Sequence, residues 1–402
     1  MVNGTHWIQP EGIDGILPAQ ARIVEGLRRA LLDLYHVWGY DLVIPPFLDY
    51  LPSLLSGSGQ GLDQKTFKLV DPLSGQMVGI RADMTPQVAR MDAHALGKDG
   101  PVRLCYMGTV LHTKPDGLGG ARSLLQLGIE LYGRQGVDSD IEVLALMLKT
   151  LAMAGIEQPH IDLGHVGVFR GLAVKAGLAA DQEQQLYDAL QRKSTLDIAV
   201  LVEAFGLSKI QAGWFQALAN LNGDESVLSK AEAMFVGLGE DICGAIQHLK
   251  MMAERLKQRM PDLSLYFDLA ELRGYEYHTG VVFAAFVPEH GQEIARGGRY
   301  DDIGKIFGRS RPATGFSTDL KTLVALGHYH LPELTPAIYV QESQDNRLSD
   351  MVVALRQQGE RVILGDEVAA AEVVKPLGCD RFIQYKNDQW VVVRVMDNEQ
   401  RA

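Results

Sequence analysis

The sequence predicts an α+β fold, in which an antiparallel sheet core with flanking helices carries a helical insertion and a small C-terminal α/β unit. Three observations support this prediction. Residues 281–286 (V-V-F-A-A-F) form a continuous apolar run of β-branched and aromatic residues, typical of a strand buried on both faces. The turn sequence D-P-L-S-G at 71–75 separates two strand-like stretches, as in a hairpin. Residues 167–260 show helical periodicity with few strand signals.

Length and composition indicate a soluble globular protein with two or three domains. The chain has 402 residues, of which 47% are hydrophobic and 22% charged. The formal net charge of −12 argues against broad binding to a polyanion. The three cysteines lie far apart, which fits a reducing compartment and argues against a disulfide framework or a structural zinc. Neither a signal peptide nor an apolar run of about 18 residues is found, so we expect a cytoplasmic protein without a membrane span.

The elements before residue 166 alternate between helices and strands. Leucine spacing predicts a helix over 19–38, which Gly39 ends. The prolines in 42–47 (L-V-I-P-P-F) restrict that strand to a sheet edge. We then expect a flexible loop over 53–61, a hairpin formed by 65–70 and 76–80, and a helix over 84–95. Strands over 102–110 and 124–132 lie side by side, and Asp138 caps the following helix.

Domain organisation follows from these patterns. The core comprises 1–166 and 261–330, so the helical insertion at 167–260 makes it discontinuous in sequence. After the strand at 281–286 we expect a polar loop. A linker at 332–336 precedes the C-terminal α/β domain at 337–402, which alternates strand and helix signals.

Polar and aromatic residues flank the buried strand at 281–286. The residues before it are Arg273, Glu276, Tyr277 and His278, and those after it are Arg299, Tyr300 and Asp301. A guanidinium pairs a carboxylate and acidic groups pair an ammonium, so this arrangement suits a pocket for a small zwitterion. The alternative is that these charges form ordinary ion pairs that close a sheet edge.

Searches for common catalytic motifs give negative results. The sequence contains no G-x-x-x-x-G-K-[ST], no strand-borne G-x-G-x-x-G, no H-E-x-x-H and no G-x-S-x-G. The histidines are scattered, which makes a metal site improbable. We therefore predict no catalytic residue, no metal and no cofactor.

Six ordered blocks resemble the catalytic core of histidyl-tRNA synthetases, over roughly residues 5–328. They are R-A-D-M-T at 81–85, R-L-C-Y-M-G at 103–108, Q-L-G-I-E at 126–130, L-R-G-Y-E-Y at 272–277, G-G-R-Y-D at 297–301 and G-F-S-T-D-L at 315–320. The resemblance implies a class II aminoacyl-tRNA synthetase-like sheet and a dimer formed partly through 19–47.

The resemblance also implies an amino-acid pocket. Asp83, where the family has Glu, would meet the ligand ammonium together with Thr85 and Gln126. Glu130 would face an imidazole, and Arg273 would meet the carboxylate. The remaining lining residues implied are Tyr277, Tyr300 and His278, the last of which replaces a second tyrosine of the family.

The ATP half of the synthetase site does not match. His112 stands where the family has an arginine that neutralises the α-phosphate, with Lys114 nearby. In the last block Asp319, Lys321 and Thr322 replace the Gly, Glu and Arg of the family. Fixed cations at the α-phosphate are the main catalytic device of adenylate formation. We therefore expect amino-acid activation to be absent.

This combination is similar to a paralogous family, the regulatory subunits of ATP phosphoribosyltransferase. The resemblance implies a non-catalytic subunit that assembles with the short-form catalytic subunit, is required for its activity and mediates feedback by histidine. The chain would also dimerise and would bind no tRNA. Two alternatives remain: an active histidine-activating enzyme that uses Lys114 and Lys321, and a stand-alone amino-acid sensor. The retained pocket could also be vestigial.

Overall fold

The computed structural model describes residues 8–55, 60–115, 120–272, 274–275, 277–288 and 290–395. The chain divides into two compact units, one ending at Tyr329 and one starting at His330. The first unit is built on a large sheet with helices on both sides, and the second is a small α/β unit with its own sheet.

The first unit alternates helices and strands up to residue 165 and then becomes helical. Its first half comprises α1 Pro18–Val37, β1 Asp41–Leu42, β2 Leu48–Tyr50, α2 Leu51–Leu55, α3 Gln60–Lys65, β3 Phe67–Val70, β4 Met77–Ile80, α4 Thr85–Arg90, a π-helix Met91–Leu96, β5 Val102–Leu111, β6 Ser123–Tyr132, α5 Val137–Met153 and β7 His160–His165.

Its second half contains the helical segment and returns to the sheet. It comprises α6 Val166–Ala176, α7 Ala180–Gln191, α8 Thr195–Ala204, α9 Lys209–Leu218, β8 Asn222–Gly223, α10 Ser226–Phe235, α11 Glu240–Arg259, β9 Leu265–Asp268, β10 Val281–Val287, β11 His290–Arg299, a 3-10 helix Ile303–Phe307, β12 Ala313–Asp319 and α12 Leu320–Leu326.

The large sheet has the strand order β1-β5-β6-β12-β11-β10-β7-β9-β8. From β5 to β7 every pair is antiparallel, whereas β1 pairs with β5 and β9 pairs with β7 in parallel. The predicted α+β class is therefore confirmed, with parallel pairs added near both ends of the sheet. A separate three-stranded sheet has the order β2-β4-β3 and contains the predicted hairpin of β3 and β4.

Helix α1 packs one apolar face against the first unit's core. Leu27, Leu31 and Tyr35 are fully buried, because their spacing of four residues places them on one side. Pro18 occupies the first turn, where its missing N–H is not needed. The Tyr35 hydroxyl lies 3.0 Å from Thr150 Oγ1 on α5, so the polar tip of this buried ring is satisfied.

Pro45 and Pro46 break the 42–47 segment as predicted, and the strands on either side of them, β1 and β2, each lie at an edge of their sheet. Two other local predictions were wrong. The predicted loop at 53–61 includes the end of α2 and the start of α3, and residues 56–59 lie outside the described ones. The polar stretch after 286 is strand β11, paired with β10 and β12, rather than a loop.

The helix after residue 136 also begins differently from the prediction. Gly136 occupies the cap position of α5, and Asp138 lies in the first turn of the helix. A carboxylate there still favours the helix, because the amino end carries partial positive charge.

The second unit carries a four-stranded sheet in the order β14-β13-β15-β16. Its elements are β13 Ala337–Gln341, α13 Asn346–Gln357, β14 Val362–Gly365, α14 Ala371–Val374, β15 Cys379–Lys386 and β16 Gln389–Arg394. Asp345 caps α13 by accepting a hydrogen bond from the Arg347 N–H. Among the described residues of the whole chain, no helix is both long and apolar enough to span a membrane.

The buried face of α5 provides a stability test. Leu144 is fully buried there, so Leu144→Ala should lower the free energy of unfolding by about 2–5 kcal/mol through lost transfer energy and a residual cavity. Urea denaturation measures the change. The matched control is Leu196→Ala on α8, whose side chain is mostly exposed and should change stability by less than about 0.5 kcal/mol. Equal effects at both positions would contradict the packing described above.

Candidate ligand-binding site

A cavity of about 460 Å³ opens over the centre of the large sheet. Its floor comes from β6, β10, β11 and β12, and one wall comes from the 269–280 loop that joins β9 to β10. Six of the eight residues that the sequence predicted for the pocket line this cavity: Asp83, Thr85, Glu130, Tyr277, His278 and Tyr300.

The other two predicted residues have different positions. Gln126 contacts the cavity residue Asp83, donating a hydrogen bond of 2.8 Å to Oδ1. Arg273 lies outside the described residues. The structure thus brings seven of the eight predicted residues into one connected group.

Glu130 is the buried acid of this group, with 1% of its surface exposed. The Tyr106 hydroxyl donates to Oε1 at 3.0 Å, and the Tyr300 hydroxyl donates to Oε2. The Tyr106 hydroxyl also lies 2.9 Å from Thr85 Oγ1. Burial raises the pKa of the Glu130 carboxyl from 4.5 to about 8, although the hydrogen bonds from Tyr300 and Tyr106 oppose this rise.

A glycine on the neighbouring strand makes room for this carboxyl. Gly315 pairs with Glu130 across β12 and β6. A Cβ at position 315 would collide with the Glu130 carboxylate oxygen, so a larger residue there would displace the acid.

Asp83 forms the second acidic point of the cavity. Its Oδ1 accepts hydrogen bonds from the Thr85 backbone N–H at 2.9 Å and from Gln126 Nε2 at 2.8 Å. The Gln126 carbonyl oxygen in turn accepts from the Met84 N–H at 3.0 Å. Both ends of the Gln126 amide are thereby fixed, and Asp83 is held at the start of α4.

Aromatic rings form the part of the cavity wall next to Glu130. Tyr277 and Tyr300 stack with ring centroids 4.8 Å apart, and His278 packs edge-on against Tyr277 at 5.3 Å. The Tyr277 hydroxyl is buried and has no hydrogen-bond partner among the described residues. A buried polar atom without a partner is costly, and a bound ligand could satisfy it.

Sequence reasoning missed several lining or supporting residues. Tyr106 holds Glu130, and its position inside the apolar strand β5 was a usable signal. Tyr187 on α7, Glu271, Glu293 and Arg296 also line the cavity. Tyr187 could not have been found, since no local pattern placed α7 beside the sheet.

Arg299, in contrast, belongs to an ion network outside the cavity. It binds Asp140 on α5 through two nitrogens at 2.8 and 3.2 Å, and it pairs with Asp301 at 3.1 Å. His248 on α11 lies 2.9 Å from the same Asp140 carboxylate. For Arg299, the alternative interpretation is therefore correct: its charge forms structural ion pairs and does not line the pocket. In the described part of the chain, no group of acidic, histidine or cysteine residues could hold a metal ion.

The positions that correspond to the ATP-binding residues have internal partners. Asp319 accepts hydrogen bonds from the Leu125 N–H at 2.8 Å and from the Thr322 N–H and hydroxyl at 3.0 and 2.7 Å. Lys321 Nζ donates to the Ser123 carbonyl at 2.7 Å. His112 Nε2 lies 2.9 Å from the Ala82 carbonyl. Asp319 and Lys321 thereby connect the start of α12 to β6, whereas His112 contacts the segment between β4 and α4.

Comparisons with known proteins agree with these features. The family model described as histidyl-tRNA synthetase matches residues 12–323, and the model described as ATP phosphoribosyltransferase subunit HisZ C-terminal domain matches residues 335–393. A protein named ATP phosphoribosyltransferase regulatory subunit from Thioalkalivibrio sulfidiphilus is 51% identical over 98% of this chain and 99% of its own. The chain belongs to the ATP phosphoribosyltransferase regulatory subunit family. A relative of the same name from Azotobacter vinelandii is also 51% identical with the same coverage.

Solved structures support this regulatory-subunit assignment. The structure titled ATP phosphoribosyltransferase regulatory subunit/histidyl-tRNA synthetase from Bacillus halodurans is 27% identical, with a TM-score of 0.80 over 92% of this chain and 96% of that chain. A histidyl-tRNA synthetase from Nostoc matches with a TM-score of 0.74 and 20% identity, over 96% and 97% of the two chains, which supports the shared fold alone. The predicted family is therefore confirmed, and relatives carry the name of a regulatory subunit rather than of an enzyme.

The buried carboxyl of Glu130 predicts an unusual pH dependence of stability. The folded protein holds a proton on Glu130 that the unfolded chain loses near pH 4.5, so this group's contribution to stability falls as the pH rises from about 4.5 to about 8. Glu130→Gln cannot ionise and should be free of this loss. Urea denaturation across that range should show that the free energy of unfolding of the variant increases relative to that of the wild type as the pH rises. Glu203→Gln, at an exposed position on α8, is the control and should run parallel to the wild type. A parallel course for Glu130→Gln would disprove the raised pKa.

Proposed function

We propose that the chain assembles with a short-form ATP phosphoribosyltransferase catalytic subunit, is required for its activity, and makes it sensitive to histidine by binding histidine in the cavity over the large sheet. The main observation in support is a contrast between the cavity residues and the residues at the start of α12. The acids and tyrosines that suit a free amino acid line the cavity, whereas Asp319, Lys321 and Thr322 are bound to backbone and side-chain groups of α12 and β6.

The chemistry of the cavity supports histidine as the ligand. Asp83 can pair with the ammonium group, and Arg273 is proposed for the carboxylate. Tyr277, Tyr300 and His278 offer ring faces and edges against which an imidazole can pack.

Glu130 gives the proposed imidazole contact its selectivity. Its raised pKa, about 8, lies close to that of an imidazole, so one proton can be shared between the two groups. A ligand with an apolar side chain would leave the buried Tyr277 hydroxyl without a partner and would offer Glu130 no group with which to share a proton. That penalty disfavours leucine or phenylalanine in the same cavity.

Feedback requires that histidine bind one assembly state better than another, since equal binding would shift no equilibrium. In this proposal the chain also pairs with a second copy through the 19–47 region. Leu42, Ile44 and Phe47 lie exposed there, which suits an apolar contact. The acidic net charge disfavours tRNA, and the complex is proposed to work in the cytoplasm without a membrane partner.

Reconstitution tests the assembly. Adding the chain to an isolated short-form catalytic subunit should raise phosphoribosyl transfer at least about tenfold, and histidine should lower that rate in the mixture. Size-exclusion chromatography should show co-elution of the two chains. An unchanged rate without co-elution would contradict the proposal and favour a stand-alone sensor. Histidine-dependent pyrophosphate exchange by the chain alone would instead identify a histidine-activating enzyme.

Calorimetry tests the cavity as the histidine site. Asp83→Asn and Glu130→Gln should each weaken histidine binding by about tenfold or more, because the first removes the charge that pairs with the ligand ammonium and the second removes the carboxyl that shares a proton with the imidazole. Glu203→Gln should bind histidine as the wild type does. Wild-type affinity in both cavity variants would place the effector elsewhere, for example at the subunit boundary, and would make the cavity vestigial.

A further inference from the structure

The 269–280 loop carries much of one wall of the cavity yet has little regular structure of its own. It runs between β9 and β10, and its Tyr277 and His278 line the cavity. The described backbone bonds within it form short turns, with the N–H groups of Tyr277 and His278 both donating to the Gly274 carbonyl at 2.8 Å. Gly274 has a positive φ of 69°, which favours glycine there. At the end of the loop, the Thr279 N–H donates to the Arg299 carbonyl of β11 at 2.8 Å and fixes that end to the sheet.

Helix α6 holds this loop through one arginine. Arg170 Nη2 donates to the backbone carbonyls of Tyr275 and His278 at 3.2 and 3.1 Å. The guanidinium also lies over the Tyr275 ring, 4.9 Å from its centroid. One side chain thereby binds both ends of the turn that contains Tyr277. It does so through charge-assisted hydrogen bonds and a cation–π contact.

The Tyr275 ring anchors the loop in the helical segment. Phe169 on α6 packs against it at a centroid distance of 5.3 Å, and Tyr187 on α7 packs against it at 5.4 Å. The Tyr275 hydroxyl donates to the Glu183 carboxylate, also on α7. Tyr187 itself lines the cavity.

The end of α7 also holds the start of the loop. Lys193 Nζ pairs with Asp268 at 2.6 Å, and Gln191 Nε2 donates to the Ala270 carbonyl at 3.3 Å. The loop is thus bound to the helical segment at 268–270 and again at 275–278.

We propose that Arg170 is a positioning residue, which together with the Tyr275–Glu183 contact holds the 269–280 loop where Tyr277 and His278 can meet the ligand. Arg170 touches backbone and ring atoms of the loop and does not line the cavity itself. Arg170 affects binding by raising the population of the loop conformation in which Tyr277 and His278 can contact the ligand (the ready loop). The expected change in histidine affinity rests on the proposed function. The role of Arg170 in holding the loop does not depend on any ligand.

The test compares Arg170→Ala with Arg255→Ala in the full chain. Arg255 on α11 pairs with Asp138 in the first turn of α5, so it offers the same chemical change away from the loop. Hydrogen exchange should show the loop amides of Tyr277 and His278 exchanging at least about tenfold faster in Arg170→Ala and unchanged in Arg255→Ala. If the ready loop becomes about tenfold less populated, the histidine Kd should rise about tenfold. Arg170→Lys, which keeps a charged donor, should recover part of both effects.

Two results would overturn the proposal: unchanged loop exchange in Arg170→Ala, or faster exchange with unaltered histidine affinity. If the wild type binds no histidine, the proposed function fails, and the exchange measurement still decides whether Arg170 holds the loop. Should Arg170→Ala not fold, Tyr275→Phe removes only the hydroxyl contact with Glu183. It is then expected to speed loop exchange and weaken histidine binding by about threefold, and no change in either would refute the anchor.

Discussion

The site depends on one constraint, a carboxyl buried in the middle of the large sheet. Glu130 has almost no contact with solvent, and it is tolerated because Tyr106 and Tyr300 donate to its two oxygens. An acid with neither solvent nor donors would cost several kcal/mol. Two glycines provide the space that these groups need. Gly315 leaves space for the carboxyl, and Gly128 leaves space for the Tyr106 hydroxyl, which a Cβ would meet at 2.5 Å.

Two groups of polar residues on the large sheet differ in what surrounds them. Around Glu130 and Asp83, polar groups converge on open volume. At the start of α12, Asp319 accepts from its own helix and from β6, so its carboxylate caps α12. A carboxylate at a helix start is stabilising, whereas beside a triphosphate it would be repulsive. Asp319 thus favours packing over nucleotide binding, in line with relatives named as regulatory subunits.

Sequence reasoning reached the large elements and most of the cavity, since both rest on local patterns. Strand β10 was visible as a continuous apolar run, and α1 was visible from its leucine spacing and the glycine that follows it. The cavity acids were visible through ordered motif blocks. Sequence reasoning failed where the structure of a segment is determined by strand pairing or by contacts with residues far away in the sequence. The polar residues of β11 read as a loop, although pairing on both sides makes them a strand. Tyr187 and Arg170 act across the boundary between α6–α7 and the 269–280 loop, which no short window of sequence contains.

The two sides of the cavity differ in what it costs to move them. Displacing Glu130 would break hydrogen bonds inside a close-packed sheet and leave a buried acid unpaired, at several kcal/mol. The loop wall is held by bonds from Arg170, Glu183 and Lys193 and by the burial of Leu272 and Tyr275 in the core. Binding of a small amino acid at micromolar affinity supplies about 8 kcal/mol in total, and only its difference between two states can do work. In the proposed function, the 269–280 loop therefore links the ligand to α6 and α7, while Glu130 in the sheet determines which ligand is recognised.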